Sequence, residues 1–240
     1  MTILITGGEG VIGQALLQVW PDAIPLSSRY CNVTMPHTVQ AVFEEYKPSV
    51  VIHAAAVTDH QCPNMGLMMR TNVIGTRNVF DACQKVCAEP VYLSTHYVYP
   101  GTEGNYRENA EVDPIGLYAW SKYLGELVAQ DYAALIIRGS WYTYETRLKY
   151  WEENGALTDA WCSRTDTETA ASQIKNLVDR HANGVYNIGG PRRSFYEIMQ
   201  DEGLSCRPIC RADLSLHLPY TFPKDTSVST DKYDALVQSS

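Results

Sequence analysis

Thr2-Ile3-Leu4-Ile5-Thr6-Gly7-Gly8-Glu9-Gly10-Val11-Ile12-Gly13 is the stretch on which the fold turns. Residues 2–6 read as a short buried strand and residues 11–20 as a helix, with a glycine-rich turn directly between them. Gly7, Gly10 and Gly13 fit the spacing G-x-x-G-x-x-G. Glycines so placed permit a tight turn, close approach of the backbone to a pyrophosphate, and close packing of helix on strand. The helix N-terminus adds amide donors and a positive dipole end. Gly7, Gly10, Val11 and Ile12 are therefore candidate dinucleotide contacts. A glycine-rich connection without a ligand is the alternative, and the position between strand and helix argues against it.

Outward from this turn, strands and helices alternate. Residues 23–26 form a second strand closed by polar Ser27-Ser28-Arg29, and a helix over residues 38–46 is stopped by Lys47-Pro48. Residues 49–53 are β-branched and apolar, as a parallel strand covered on both faces should be. A long helix over residues 66–86, a strand over 90–94, a helix over 116–130 and a strand over 133–138 follow. This order predicts an α/β fold with a doubly wound parallel sheet of the Rossmann type, its ligand at the carboxyl ends of the strands. Beyond Trp141 the pattern changes. Residues 142–166 are rich in Tyr, Trp, Glu and Thr and lack periodicity. Residues 167–181 look helical, 184–188 like a strand, 194–201 helical, and 203–226, with Pro208, Pro219 and Pro223, mostly loop. The division expected is a dinucleotide-binding portion over 1–141 and a small lobe over 142–240 that partly returns to the core.

The bulk properties narrow the function. A chain of 240 residues, 45% hydrophobic and 19% charged, can bury a substantial core. Its 19 basic and 27 acidic residues give a formal charge of −8, which speaks against nucleic acid as a partner. No apolar run approaches the roughly 18 residues of a membrane helix, and Met1 leads straight into a strand rather than a signal peptide. Seven scattered cysteines, with Cys83/Cys87 and Cys206/Cys210 four apart, fit reduced thiols in the cytoplasm better than a zinc knuckle. His37, His53, His60, His96, His181 and His217 show no metal-ligand spacing, and no serine sits in a nucleophile elbow.

Chemistry is carried by Tyr118-Ala119-Trp120-Ser121-Lys122. Residues i and i+4 share a helix face, so an ammonium stands beside a phenol whose ordinary pKa is about 10. A positive neighbour makes that hydroxyl a better proton donor to a developing alkoxide. The end of the second strand bears on the cofactor. A site selective for NAD usually has an acidic side chain there, about 20 residues past the turn. Here Arg29 takes that region, as a forked partner for a 2′-phosphate or as a solvated surface side chain. The preference expected is NADP, with NAD as the other candidate.

Together these residues resemble the extended short-chain dehydrogenase/reductase family, and within it the dTDP-4-dehydrorhamnose reductases. His53-Ala54-Ala55-Ala56 is similar to the family's Asn-Ala-Ala-Ala, which lies along the cofactor. Cys31-Asn32-Val33 sits where the family often carries an Asp next to the adenine. Ser94-Thr95-His96-Tyr97-Val98-Tyr99-Pro100-Gly101 resembles Ser-Thr-Asp-Tyr-Val-Phe-x-Gly. Leu117-Tyr118-Ala119-Trp120-Ser121-Lys122, followed by Gly125-Glu126, is similar to the catalytic helix. Arg138-Gly139-Ser140-Trp141 resembles Arg-Thr-Ser-Trp. Gly184-Val185-Tyr186-Asn187-Ile188 and Ser229-Thr230-Asp231-Lys232-Tyr233 are similar to late family segments.

The resemblance implies reduction of a 4-keto-6-deoxy nucleotide sugar, as in dTDP-rhamnose biosynthesis. Tyr118 would protonate the carbonyl oxygen, Lys122 would hold the nicotinamide ribose, and Thr95 would hydrogen-bond the same oxygen. Asn32, Val33, Ala54, Ala55 and Ala56 would contact the cofactor. His96, Tyr97 and Trp141 would contact the substrate, although Trp141 is also a plausible core aromatic. His96 replaces the family's Asp, either as a substrate contact or as a replacement facing solvent. The lobe after Trp141 is shorter than the family's, which leaves room for a smaller carbonyl substrate or a partner chain. The pair His96-Tyr97 in place of Asp-Glu disfavours a 4,6-dehydratase. An NAD-dependent epimerase remains an alternative, as does a non-catalytic NADP-binding regulatory subunit of methionine adenosyltransferase. A homodimer is common in the family.

Overall fold

In a computed structural model, residues 1–58, 64–215 and 222–239 are described. His60, Cys62, His217 and Pro219 lie outside them. From the amino terminus, β1 (Ile3–Thr6), α1 (Val11–Val19), β2 (Ile24–Leu26), α2 (Pro36–Tyr46) and β3 (Val50–His53) lead to α3 (Met65–Met69). That helix passes through a wide π-type turn (Arg70–Ile74) into α4 (Gly75–Val86), followed by β4 (Glu89–Leu93), α5 (Gly116–Asp131) and β5 (Leu135–Arg138). The carboxyl third holds β6 (Trp141–Tyr142), α6 (Lys149–Asn154), β7 (Ala156–Leu157), β8 (Trp161–Cys162), β9 (Thr165–Asp166) and α7 (Thr167–Asp179). It ends in β10 (Val185–Asn187), β11 (Arg193–Ser194), α8 (Phe195–Asp201), β12 (Pro208–Ile209), α9 (Arg211–Ser215) and α10 (Asp231–Gln238).

The main sheet has the order β10-β5-β4-β3-β1-β2, and every neighbouring pair is parallel. The chain runs outward from β1 to β2, then crosses to β3 on the other side. The strand order therefore reverses between β1 and β3, which is where such sheets open a crevice at their carboxyl ends. Successive side chains serve opposite faces. Ile3, Ile5, Val50, Ile52, Leu135 and Ile137 pack with α1 and α7 residues such as Leu16 and Ile174. Leu4, Val51, Tyr92 and Ile136 pack on the other face with Val39, Phe43, Val79 and Phe80.

Boundaries differ from the sequence reading for identifiable reasons. α2 begins at Pro36, whose fixed φ suits the first helical position. β5 begins at Leu135 because Ala133 turns the chain with φ 51°. The aperiodic stretch after Trp141 is built from short pieces whose two-residue strands are too brief to show a period. It has a core of its own, with Tyr142, Leu148, Trp151, Leu157, Phe195, Ile198, Met199 and Ile209 packed together. Ser194 and Glu197 form a reciprocal cap that fixes the start of α8. Segment 203–226, expected as loop, contains β12 and α9. β10 joins the main sheet beside β5, α7 covers one of its faces, and Tyr233 of α10 is buried on that same face.

α5 lies unusually close to the sheet. A Cβ at Gly125 would fall on the Tyr92 hydroxyl and 2.8 Å from the Asn72 carbonyl oxygen. Tyr92 in turn donates from its hydroxyl to the Lys122 carbonyl oxygen at 3.1 Å. We expect Gly125→Ala to destabilise the protein by about 1–3 kcal/mol, a fall of roughly 3–9 °C in Tm. A thermal melt matching the parent would contradict this packing.

Candidate active site

A cleft of about 820 Å³ opens at the carboxyl ends of the strands, between the sheet and the carboxyl-terminal lobe. On the sheet side it is lined by Gly7, Gly10, Val11, Ile12, Ala54, Ala56, Thr95, Tyr118 and Lys122. One cavity thus unites the glycine turn with the Thr, Tyr and Lys read from the sequence.

The turn is shaped by contacts on both sides. The Leu26 carbonyl accepts hydrogen bonds from Gly7 N at 3.0 Å and Gly8 N at 3.3 Å. Gly7 has φ 68°, and a Cβ there would lie 2.8 Å from the Ala55 backbone, so no other residue suits the position. α1 starts at Gly10 with no side-chain cap and no acidic residue in its first turn. Its amino end therefore presents amides and a positive dipole to the cleft, and Glu9 just before it is exposed and off the cleft lining. A glycine-rich cradle of this kind fits a dinucleotide pyrophosphate.

The other expected cofactor contacts lie around it. Ala55 is half-buried and donates from its amide to Thr6 Oγ1 at 3.3 Å. Asn32 Oδ1 accepts from Thr34 N and Thr34 Oγ1 at 3.0 and 2.8 Å, and Val33 is buried beside Gly75. Ser27 O accepts from Tyr30 N and Cys31 N, and the turn so formed carries Arg29 on the surface. None of Arg29, Asn32, Val33 and Ala55 lines the cleft itself.

On α5, Tyr118 and Lys122 stand one turn apart and both face the cleft. Burial pushes the Tyr118 phenol up to about 12, while a hydrogen bond with the Thr95 side chain and the charges of Arg164 and Arg147 work against that rise. Tyr118 therefore keeps its proton through neutral pH. Lys122 is 3% exposed, and burial pushes its ammonium down to about 7 against the opposing pull of Glu126. Its Nζ sits 4.1 Å from the centre of the Tyr92 ring. The sequence reading made Lys122 the main influence on Tyr118. In the structure the largest influences on the phenol are burial, Thr95, Tyr97 and the two arginines.

Beneath α5 lies a buried ion pair. Arg138 donates from Nη2 to Glu126 Oε2 at 2.6 Å and from Nε to Oε1 at 3.0 Å, and Ser94 Oγ donates to Glu126 Oε1. Burial opposes the charge on Arg138, but hydrogen bonding and the charge of Glu126 outweigh it and raise its pKa. Arg138 Nη1 also donates to the Tyr99 hydroxyl at 3.0 Å, which donates onward to Asn187 Oδ1 at 2.8 Å. The strand ends of β4, β5 and β10 are thereby locked to α5.

His53 is buried between β1 and α4, with Nδ1 2.7 Å from Thr6 Oγ1 and Nε2 3.1 Å from Thr76 Oγ1. Burial and the charge of Lys122 lower its pKa to about 3, so it is neutral. His96 is 1% exposed and set edge-on to the Tyr97 ring at 4.6 Å, which removes the solvent-facing alternative. It lies behind Tyr97, off the cleft wall. Trp141 lines the cleft and packs partly on the core.

Sequence reasoning missed the lobe side of the cleft, where Arg147, Tyr150, Trp151, Arg164 and Phe195 contribute. Single residues in an aperiodic segment gave no signal for them. The six described cysteines form no disulfide. Among the described residues no group of side chains could hold a metal ion, and no helix is long and apolar enough to cross a membrane.

A nucleotide cradle at the switch point and a Thr-Tyr-Lys set on the same cleft define an oxidoreductase of the extended short-chain dehydrogenase/reductase type. Residues 1–194 match the family described as RmlD substrate binding domain, and the chain belongs to that family. It is 31% identical over 228 residues to the spore coat polysaccharide biosynthesis protein SpsK of Bacillus subtilis, covering 84% of this chain and 80% of the relative. It is 28% identical to the dTDP-4-keto-6-deoxy-D-glucose reductase of Streptomyces niveus, covering 77% and 71%. The solved dTDP-4-dehydrorhamnose reductase of Bacillus anthracis, in complex with NADP, superposes with a TM-score of 0.86 at 25% identity, covering 98% and 93%. A shorter stretch of 140 residues, 51% of this chain, is 30% identical to the methionine adenosyltransferase 2 subunit beta of Xenopus tropicalis.

A lysine with a pKa near 7 is charged below that pH and neutral above it. If Lys122 holds a cofactor hydroxyl through its charge, affinity for NADPH falls as pH rises through about 7. Lys122→Arg, charged throughout, should flatten that limb. Fluorescence titration with NADPH from pH 6 to 9 checks this, and a flat profile in the parent protein would contradict it.

Proposed function

We propose that this protein is an NADPH-dependent reductase of a 4-keto-6-deoxy nucleotide sugar, of the dTDP-4-dehydrorhamnose type. The observation that carries the reading is that Thr95, Tyr118 and Lys122 line the same cleft as the dinucleotide turn. The bound nicotinamide supplies a hydride to the keto carbon. Everything else is done by the chain. Gly7, Gly10, Val11 and Ile12 receive the pyrophosphate, and Ala54, Ala55 and Ala56 flank the cofactor. Asn32 and Val33 lie toward the adenine, and Lys122 with Tyr118 holds the nicotinamide ribose.

Tyr118, protonated because burial keeps its pKa about 12, donates its proton to the carbonyl oxygen as the carbon is reduced. The Thr95 hydroxyl hydrogen-bonds that oxygen and the phenol, stabilising the charge as it develops. Trp141 and Tyr97 offer apolar faces to the sugar ring, with His96 buttressing Tyr97. Arg29, exposed and without an ion pair or hydrogen bond among the described residues, is suited to a 2′-phosphate. That favours NADP over NAD. The same proposal includes a cytoplasmic homodimer. Trp120 and Leu127 on α5 and Ile74 on the π-type turn are 45%, 41% and 51% exposed, and they supply an apolar surface for it.

Purified protein mixed with NADPH and dTDP-4-keto-6-deoxy-L-mannose should oxidise the cofactor. Tyr118→Phe should slow turnover by roughly 10²- to 10⁴-fold, the usual worth of a general acid. Arg29→Ala should raise KM for NADPH by about tenfold or more and leave KM for NADH nearly unchanged. Cofactor binding without oxidation, or full activity in Tyr118→Phe, would overturn the reading.

A further inference from the structure

Arg164 carries a charge that the described residues do not balance. It lies between β8 and β9, is only 5% exposed, and lines the cleft. Its Nη2 donates to the Tyr97 hydroxyl at 3.0 Å. Its guanidinium stands 5.9 Å from the centre of the Tyr97 ring and 5.5 Å from that of Phe195. Its buried Nε has no hydrogen-bond partner. Four other arginines are paired with carboxylates, Arg138 with Glu126, Arg192 with Asp225, Arg193 with Asp201 and Arg211 with Asp159. No carboxylate among the described residues pairs with Arg164.

Buried charges in folded proteins are paired, because an unpaired one forfeits its hydration without recompense. Burial opposes the charge of Arg164, but Tyr97, the thiol of Cys162 and the phenol of Tyr118 outweigh it and raise its pKa. None of these groups is a carboxylate, and a ligand oxyanion entering the cleft would supply a full counter-charge. Its place is fixed by Tyr97, which Arg164 touches, and by Tyr118, which feels the charges of Arg164 and Arg147. Both tyrosines are at the reacting end of the cleft. Arg147 is exposed on the same wall and adds positive potential to it.

We propose that Arg164 is the seat of an oxyanion of the substrate, bound at the reacting end of the cleft. This inference rests on reading the cleft as a nucleotide-sugar site. A nucleotide sugar offers two sources of an oxyanion, its diphosphate, which a 4-keto-6-deoxy nucleotide sugar carries, and a ring carboxylate, which would replace the 6-deoxy sugar by a uronic one. Arg164 then acts as a specificity residue. A carbonyl compound without an oxyanion leaves the guanidinium buried and unbalanced and is discriminated against, whereas an anionic substrate gains a charge-assisted hydrogen bond.

The test is titration of the NADP⁺-saturated protein with dTDP and, separately, with D-glucuronate, in the parent and in Arg164→Gln and Arg164→Lys. One of the two probes should bind the parent and lose roughly 10- to 100-fold in affinity in Arg164→Gln. Arg164→Lys should recover part of the loss, and NADP⁺ affinity should be unchanged in both variants. Loss confined to dTDP assigns the diphosphate; loss confined to glucuronate assigns a ring carboxylate. If Arg164→Gln no longer binds NADP⁺, and so has not folded, Arg164→Lys decides. Binding that ignores both substitutions, or no binding of either probe to the parent, would overturn the proposal. Parent turnover of the keto-sugar with an unaltered KM in Arg164→Gln would reject the oxyanion seat and leave the reductase standing. An Arg164-dependent affinity without any turnover would do the reverse.

Discussion

The buried pair between Glu126 and Arg138 is the constraint on which the active geometry depends. Both side chains are almost wholly out of solvent, so each relies on the other for the solvation it has lost. Removing one partner of such a pair costs about 3–5 kcal/mol, because a charge is left buried alone. Its structural role comes from where its ends are anchored. Glu126 is one turn beyond Lys122 on α5, Arg138 closes β5, and Ser94, which also binds Glu126, closes β4 next to Thr95. A shift of α5 along the sheet would break these contacts together, so Tyr118 is held in register with Thr95.

Through Tyr99 and Asn187 the same network reaches β10 and the loop after β4. Asn187 Nδ2 donates to the Tyr106 carbonyl oxygen at 2.9 Å, and the rings of Tyr99 and Tyr106 stack at 4.9 Å. Close packing at Gly125 and the Tyr92 hydrogen bond to the Lys122 carbonyl act in the same direction. Burial that fixes α5 also sets the protonation of its side chains. It lowers the lysine toward neutrality and raises the tyrosine, which leaves a protonated phenol on the cleft and a lysine whose charge is sensitive to its neighbours.

The sheet portion was legible because its signals are local and periodic. Apolar strands, the glycine turn and the i, i+4 pair at Tyr118 and Lys122 each follow from covalent and helical geometry. The lobe was not legible, since its strands are two residues long and its core joins residues as distant as Tyr142 and Ile209. Arg164 shows the consequence. A single arginine in an aperiodic run has no pattern to mark it, and its importance appears only when Tyr97 and Phe195 are brought beside it. The surroundings of Tyr118 were only partly legible for a related reason. Spacing put Lys122 on its face, but spacing carries no information on burial or on charges arriving from another lobe.

The most direct test of hydride transfer to the keto carbon uses NADPH deuterated at the transferring position of the nicotinamide, with dTDP-4-keto-6-deoxy-L-mannose as acceptor. Mass spectrometry and proton NMR of the product sugar should find one deuterium at C4, with stoichiometric oxidation of the cofactor. An unlabelled product, or an isomerised sugar with the cofactor unchanged, would contradict the account.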